Sequence, residues 1–346
     1  MNNPLVTVIV PFYNVKPFIR QCLDSIAGQT LGDIEVICVD DCGADGSRDE
    51  VQRFVDDDPR FRLVAHDVNR RQGAGRNTGM RHARGRYVVF VDSDDWIAPE
   101  TLSEEVRAIE KHNLDSVWCK YSFYRDGTGV ETDVAGWNSP GPEGFLDQRR
   151  DDFSAYSCSP CNKIYRRDFL LRNNITFPED LLYEDLEFYF KVCCHTERTF
   201  LLDRHFYFYR QRETSSMGVS GAGRGSCADM IRLCRNCHEY MIGQGMFEKR
   251  RDFFINLFAV HFENFLYSRH YKEEAIRLLQ ELFLLVGFPD RYDASRTHVF
   301  NAVSSCSYRE SLRKWYGPLT FLNRLNPSSG LRRKWRAWIR VNCLAE

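Results

Sequence analysis

Three acidic groupings, Asp40-Asp41, Asp92-Ser93-Asp94-Asp95 and Glu184-Asp185, are the residues of this chain best suited to chemistry. The first two follow directly on apolar, β-branched runs, residues 35–39 and 86–91, that read as strands. Carboxylates delivered by two strand ends into one cleft would repel one another strongly if left unpaired. A cation, or hydrogen-bond donors on a ligand, must offset them. Hard carboxylate oxygens suit Mg2+ or Mn2+, which would bridge the two phosphates of a diphosphate. A blander reading, acids that solvate turns or cap helices, fits any one aspartate better than it fits the set.

These acids are positioned by alternating elements. Strands are expected at residues 5–10, 35–39, 61–65 and 86–91. Between them lie helical patterns: Phe18, Cys22, Leu23 and Ile26 on one face, then a segment from Ser47 (a candidate N-cap) through Val51 and Val55, then residues 75–83. Pro99 opens a further helix through Leu102, Val106 and Ile109. Repeated strand–helix–strand units imply a mostly parallel α/β sheet with helices on both faces. Such sheets bind ligands outside the carboxyl ends of their strands, where Pro11 and Tyr13 also lie.

Farther on, residues 127–144 are rich in Gly, Pro and Ser and read as a loop. A helix is expected at 184–194, strands at 200–202 and 205–209, and a boundary loop at 215–226. Apolar helical patterns follow at 253–267 and 273–286. The expected organisation is a catalytic α/β domain over 1–220 and a helical region with a basic tail over 221–346.

Composition removes other classes. At 43% hydrophobic and 27% charged residues, the chain is ordinary globular material. No run approaches the roughly 20 apolar residues that span a bilayer. The opening Met1-Asn2-Asn3-Pro4 has neither a basic region nor a cleavage site, so a cytoplasmic location is expected. The thirteen cysteines include the pairs Cys158/Cys161 and Cys234/Cys237, but no zinc-ribbon spacing or partner histidines. Gly73-Ala-Gly75-Arg-Asn-Thr-Gly79 has one residue too many for a dinucleotide fingerprint and follows the third strand, not the first. A net charge of −1 conceals a tail, residues 309–340, with nine Lys or Arg against one acid, Glu310. The acidic remainder excludes a nucleic-acid binder, while the tail suits a membrane surface.

An ordered set of motifs then resembles a known family. V-T-V-I-V-P-F-Y-N (6–14), V-D-D-C-G-A-D-G-S (39–47), G-A-G-R-N-T-G (73–79) and G-R-Y-V-V-F-V-D-S-D-D-W (85–96) are similar to the inverting family 2 glycosyltransferases of the GT-A fold, of the bacterial cell-surface polysaccharide type. The likeness continues in N-K-I-Y-R-R (162–167), L-Y-E-D-L-E-F (182–188) and Y-R-Q-R-E-T-S-S (209–216). It implies a sugar moved from a nucleotide-diphosphate donor, with a bias to UDP, onto a hydroxyl of a glycan or lipid-linked acceptor. Hexosyl or N-acetylhexosaminyl transfer with inversion is implied, with Mg2+ or Mn2+ as cofactor.

The resemblance also implies roles. Pro11 and Tyr13 would line the nucleotide site, Tyr13 stacking on the base. Asp41, with Asp40 beside it, would accept a hydrogen bond from the base. Arg71 or Arg76 would lie near the diphosphate. Asp92 and Asp94 would form the metal-binding pair, Asp94 as the direct ligand and Asp95 near the sugar or metal. Asp185 would be the general base, although acids in a first helical turn also favour the helix dipole. Tyr209, Arg210 and Arg212 would belong to a closing lid whose arginine grips the diphosphate, or else to an ordinary exposed strand end. Cys42 departs from the usual D-D-G-S.

Two rival readings are weaker. A nucleotidyltransferase needs a Gly-rich basic loop after the first strand, where this chain has Pro11-Phe12-Tyr13-Asn14. A catalytically silent scaffold would lack the acids present here. In the tail, Leu331, Trp335, Trp338 and Ile339 share one helical face and the basic residues largely avoid it, so peripheral docking on the inner membrane surface is expected.

Overall fold

The computed structural model describes residues 3–125, 129–131, 141–147, 153–211 and 226–266. The chain opens with β1 (Val6–Phe12), α1 (Lys16–Ala27), β2 (Ile34–Asp40), α2 (Ser47–Asp57), β3 (Phe61–Ala65), α3 (Arg71–His82) and β4 (Tyr87–Phe90). These strands lie parallel in the order β3-β2-β1-β4. Every residue of β1 and β2 is buried, as expected for strands covered on both faces.

The second half is mixed. β5 (Trp96–Ile97), α4 (Thr101–Lys111), β6 (Ser116–Arg125), β7 (Gly129–Glu131) and β8 (Gly144–Leu146) come next. β9 (Lys163–Arg166), α5 (Arg167–Arg172), α6 (Glu184–His195) and β10 (Thr199–Gln211) follow. β9 enters antiparallel between β4 and β6, and β10 pairs parallel with β6. The sheet is therefore parallel around β1 and mixed beyond β4.

Three local expectations change. Ser47 does not cap α2: Gly46 holds the N-cap position in the left-handed region, and the Ser47 hydroxyl instead accepts from the Val15 N–H at 2.9 Å. The Gly/Pro/Ser-rich stretch contains β7, which completes the edge of β6. The two short strands expected at 200–202 and 205–209 are one strand, β10, whose register shifts between Leu202 and Tyr207 broke the alternation visible in sequence.

Helix α3 begins at Arg71 and takes in the glycines of 73–79. They serve close packing. A Cβ at Gly79 would stand 2.3 Å from Ile9 Cγ2, and one at Gly75 would stand 2.9 Å from Pro11 Cβ. Only a helix bare on that face can press onto β1.

The chain divides into two compact units between Gly223 and Arg224. In the second, α7 (Ser226–Gly243) packs on α8 (Phe247–Leu266), burying Leu233, Cys237 and Met241 on one helix and Phe254, Ile255 and Phe258 on the other. The helix expected at 273–286 and the tail lie outside the described residues. No helix among the described residues is long and apolar enough to cross a membrane.

Candidate active site

The carboxyl ends of β1, β2 and β4 present their loops together. Tyr13 leaves β1 at 48% exposure, beside buried Phe12. Asn14 Oδ1 accepts from Ala44 N at 2.9 Å and Asp45 Oδ2 accepts from Lys16 N at 2.9 Å, which sews the first two loops to each other. Asn14, Cys42, Arg71 and Tyr183 all have positive φ (52°, 65°, 68° and 60°). Each stands on a loop that carries a predicted site residue or opens a helix that does.

Asp40 and Asp41 are both buried, with different partners. Asp40 Oδ1 accepts from Gly43 N at 3.0 Å and Oδ2 from Arg48 Nε at 2.5 Å, so its carboxylate holds the loop. Asp41 Oδ1 accepts from Arg70 N at 2.8 Å and lies 2.8 Å from His66 Nδ1. His66 Nε2 in turn lies 2.8 Å from Thr78 Oγ1 on α3. His66 is a supporting residue that sequence reading missed, since a lone histidine after β3 carries no spacing signal.

In the loop after β4, Asp92 Oδ1 accepts from Gln72 Nε2 at 2.7 Å and Arg76 at 2.8 Å. Asp94 is half-buried, and its carbonyl accepts from Arg210 Nε at 3.1 Å. Asp95 turns inward: Oδ2 accepts from the Tyr207 hydroxyl at 2.7 Å and Oδ1 from Arg210 N at 2.8 Å. Burial pushes the Asp95 carboxyl well above its ordinary value, and the Asp94 and Asp92 charges push it further. Arg210 is itself buried, with its guanidinium 5.0–5.1 Å from the ring centroids of Phe18, Trp96 and Tyr124. Through its bonds to Asp94 and Asp95 it holds the acidic loop, and its guanidinium is buried rather than exposed; Arg212 lies outside the described residues.

Between the acidic groups stands Arg76, 2% exposed. One terminal nitrogen donates to Asp92 and the other to Glu184 Oε1 at 2.6 Å. Burial alone would lower its pKa; the charges of Asp92 and Glu184 help to reverse that and hold it well above the ordinary value. Arg71, exposed at the start of α3, donates to the Asp180 carbonyl at 3.1 Å. Asp185 follows Glu184 in the first turn of α6. Its Oδ1 accepts from Leu186 N at 2.9 Å, and its Oδ2 lies 3.6 Å from the Cys158 thiol. Burial, then the neighbouring Glu184 charge, pushes Asp185 up to about 7, against the pull of Arg76.

The arrangement joins Asp92 and Glu184, far apart in the chain, through Arg76, while Asp41 is held by His66 and Arg70 N. Among the described residues no three His, Cys, Asp or Glu side chains gather as an all-protein metal cage. The carboxylate set still fits a magnesium-like ion, which is commonly held by one or two carboxylates plus substrate phosphates. The accumulated charge at Asp92, Asp94 and Asp95 is what such an ion would relieve.

Residues 7–172 match the family described as Glycosyl transferase family 2. The chain is 34% identical over 218 residues to the uncharacterized glycosyltransferase EpsJ of Bacillus subtilis (strain 168), a match covering 61% of this chain and 62% of EpsJ. It is 32% identical over 234 residues to the poly(ribitol-phosphate) beta-N-acetylglucosaminyltransferase TarS of Staphylococcus aureus (strain MW2), covering 66% of this chain and 39% of TarS. The crystal structure of S. aureus TarS 1-349 in complex with UDP-GlcNAc superposes with a TM-score of 0.73 at 24% identity, covering 92% of this chain and 91% of that one. The fold is GT-A, a mixed sheet with some strands antiparallel.

Proposed function

We propose that this chain, whose residues 7–172 match the family described as Glycosyl transferase family 2, moves a sugar from a nucleotide-diphosphate donor to an acceptor hydroxyl, with inversion at the anomeric carbon. The observation that carries this reading is the Arg76 bridge, which ties the donor-side acid Asp92 to the acid pair Glu184-Asp185. A UDP-sugar is the favoured donor, in keeping with the UDP-GlcNAc bound to the similar TarS domain. The acceptor would be a glycan or lipid-linked glycan of polysaccharide synthesis.

Tyr13 stacks on the base and Asp41 accepts its hydrogen bond through Oδ2, since among the described residues His66 and the Arg70 N–H both meet Oδ1. Asp40 supports that loop. Arg71 is the better placed of the two arginines for the diphosphate, because the terminal nitrogens of Arg76 are committed to acids. Asp94, with Asp92, would hold Mg2+ or Mn2+. Such an ion, when bound, offsets charge that builds on a departing diphosphate.

Asp185 takes the proton of the attacking hydroxyl. A base poised near neutrality combines a large ionised fraction with useful basicity, and its value of about 7 meets that condition. One base and no covalent intermediate give a single displacement. The basic, tryptophan-bearing tail would bring the enzyme to the inner membrane surface, where lipid-linked acceptors are found. A panel of UDP- and GDP-sugars, assayed for transfer or hydrolysis with and without Mn2+, tests the reading. Absence of turnover and binding across the panel would refute it.

A further inference from the structure

A buried lysine lies behind Asp185, and the chemistry above makes no use of it. Lys163, the first residue of β9, is 0% exposed. Its ammonium donates to Ser157 O at 2.9 Å, Ser159 O at 2.6 Å and Asn162 Oδ1 at 2.8 Å. It also sits 5.1 Å from the ring centroid of Trp118 and 5.5 Å from that of Tyr189. These three acceptors match its three N–H donors, and none of them is a carboxylate. Taking an ammonium out of water is expensive, and an apolar side chain of similar volume would avoid that cost. The charge must therefore contribute something that packing alone does not.

Both sides of this cage reach Asp185. Ser157 and Ser159 flank Cys158, whose thiol lies 3.6 Å from Asp185 Oδ2. Tyr189 stands on α6 four residues after Asp185, on the same side of the helix. Its hydroxyl donates to Phe153 O at 2.6 Å, which fixes the ring that faces the ammonium. We propose that Lys163 is a positioning residue for the transfer reaction: it clamps the 157–161 loop to α6 and so fixes Asp185 against Cys158. The proposal rests on the reading of Asp185 as the base.

The test is a double-mutant cycle in the full chain, with turnover measured on the sugar nucleotide that is active in the panel and affinity measured as UDP binding. Misplacing a reacting group by an ångström costs about a hundredfold, so Lys163→Met should lower kcat by about ten- to a hundredfold. UDP affinity should stay within about twofold, and in an Asp185→Asn background Lys163→Met should have no further effect. Lys163→Met should also expose Cys158 to iodoacetamide, read by mass spectrometry, at a rate well above that of the wild type. Should Lys163→Met fail to fold, Cys158→Ala removes the same contact and should lower kcat with UDP affinity intact. Wild-type turnover in Asp185→Asn would overturn the base itself. An inactive Asp185→Asn, together with unchanged kcat or unchanged Cys158 alkylation in Lys163→Met, or with unchanged kcat in Cys158→Ala, would overturn the clamp alone.

Discussion

The guanidinium of Arg76 donates to the Asp92 carboxylate at 2.8 Å, from inside the glycine-rich helix α3. Its second terminal nitrogen reaches Glu184 at 2.6 Å, so one buried cation joins two acidic groupings far apart in the chain. Its removal strands two acids in a poorly solvated place. Arg76→Met should therefore destabilise the fold by about 3–5 kcal/mol, the cost of breaking a buried ion pair from one side. Urea unfolding of both proteins measures this; equal midpoints at equal slope would contradict it.

Asp185→Asn keeps the shape of the side chain but cannot accept a proton. Turnover should fall by about 10²–10⁴-fold, the usual contribution of a positioned base, while UDP affinity is unchanged. In the wild type, kcat should rise with pH and level off above about 7, because the base must be ionised. A flat profile from pH 5 to 9 would exclude this group. NMR of the product should show an inverted anomeric configuration.

The same carboxyl predicts a stability effect of opposite sense. Its folded value is raised to about 7 from an ordinary 3.8, so the folded state binds this proton more tightly than the unfolded chain does. The contribution is complete below about pH 4 and is lost as the pH rises through 7. Above that, the charged carboxylate is a standing cost, and Asp185→Asn should melt higher than the wild type at pH 8. At pH 4 the two should melt together. Thermal scans at both values decide it.

Asp94→Ala should abolish transfer and leave the fold intact, because the residue is only half-buried, in the loop that follows β4. Excess chelator should silence the wild type, and added Mn2+ should restore it. Full activity in chelator would exclude a metal role for Asp92 and Asp94.

Asp41→Ala should weaken UDP binding by about 1.5–3 kcal/mol, the value of a hydrogen bond to a charged group. His66→Ala, which removes a partner of Asp41 Oδ1, should weaken it in the same direction. Calorimetric titration with UDP reads both. An unchanged affinity in Asp41→Ala would remove this residue from the base pocket.

Truncation after Ser329 should abolish sedimentation with anionic vesicles and leave donor turnover unchanged. The removed segment carries Trp335, Trp338 and five Lys or Arg residues, and each charge near an anionic surface contributes about 1 kcal/mol. Equal binding by both chains would rule the tail out.

Much of the parallel half of the fold was legible in sequence because its strands are short, mostly apolar runs, and those of β2 and β4 lead into acidic residues. β1, β2, β3 and β4 and the helices between them follow local periodicity, and the acids at the ends of β2 and β4 follow from it. Local pattern also marked Glu184-Asp185 as the start of α6. The division of labour among those acids was not local. Asp40 and Asp95 look as chemical as Asp41 and Asp94 in sequence, but Arg48, Tyr207 and the backbone of Arg210 occupy their oxygens. Arg71 and Arg76 were indistinguishable until burial set one between two carboxylates and left the other at the rim. Of the supports of Asp41 and Asp185, His66 gave no signal, and Cys158 was visible only as half of a Cys-x-x-Cys pair. A side chain's ionisation and availability depend on which groups tertiary packing sets within about 3–4 Å, and periodicity along the chain carries no information about those neighbours.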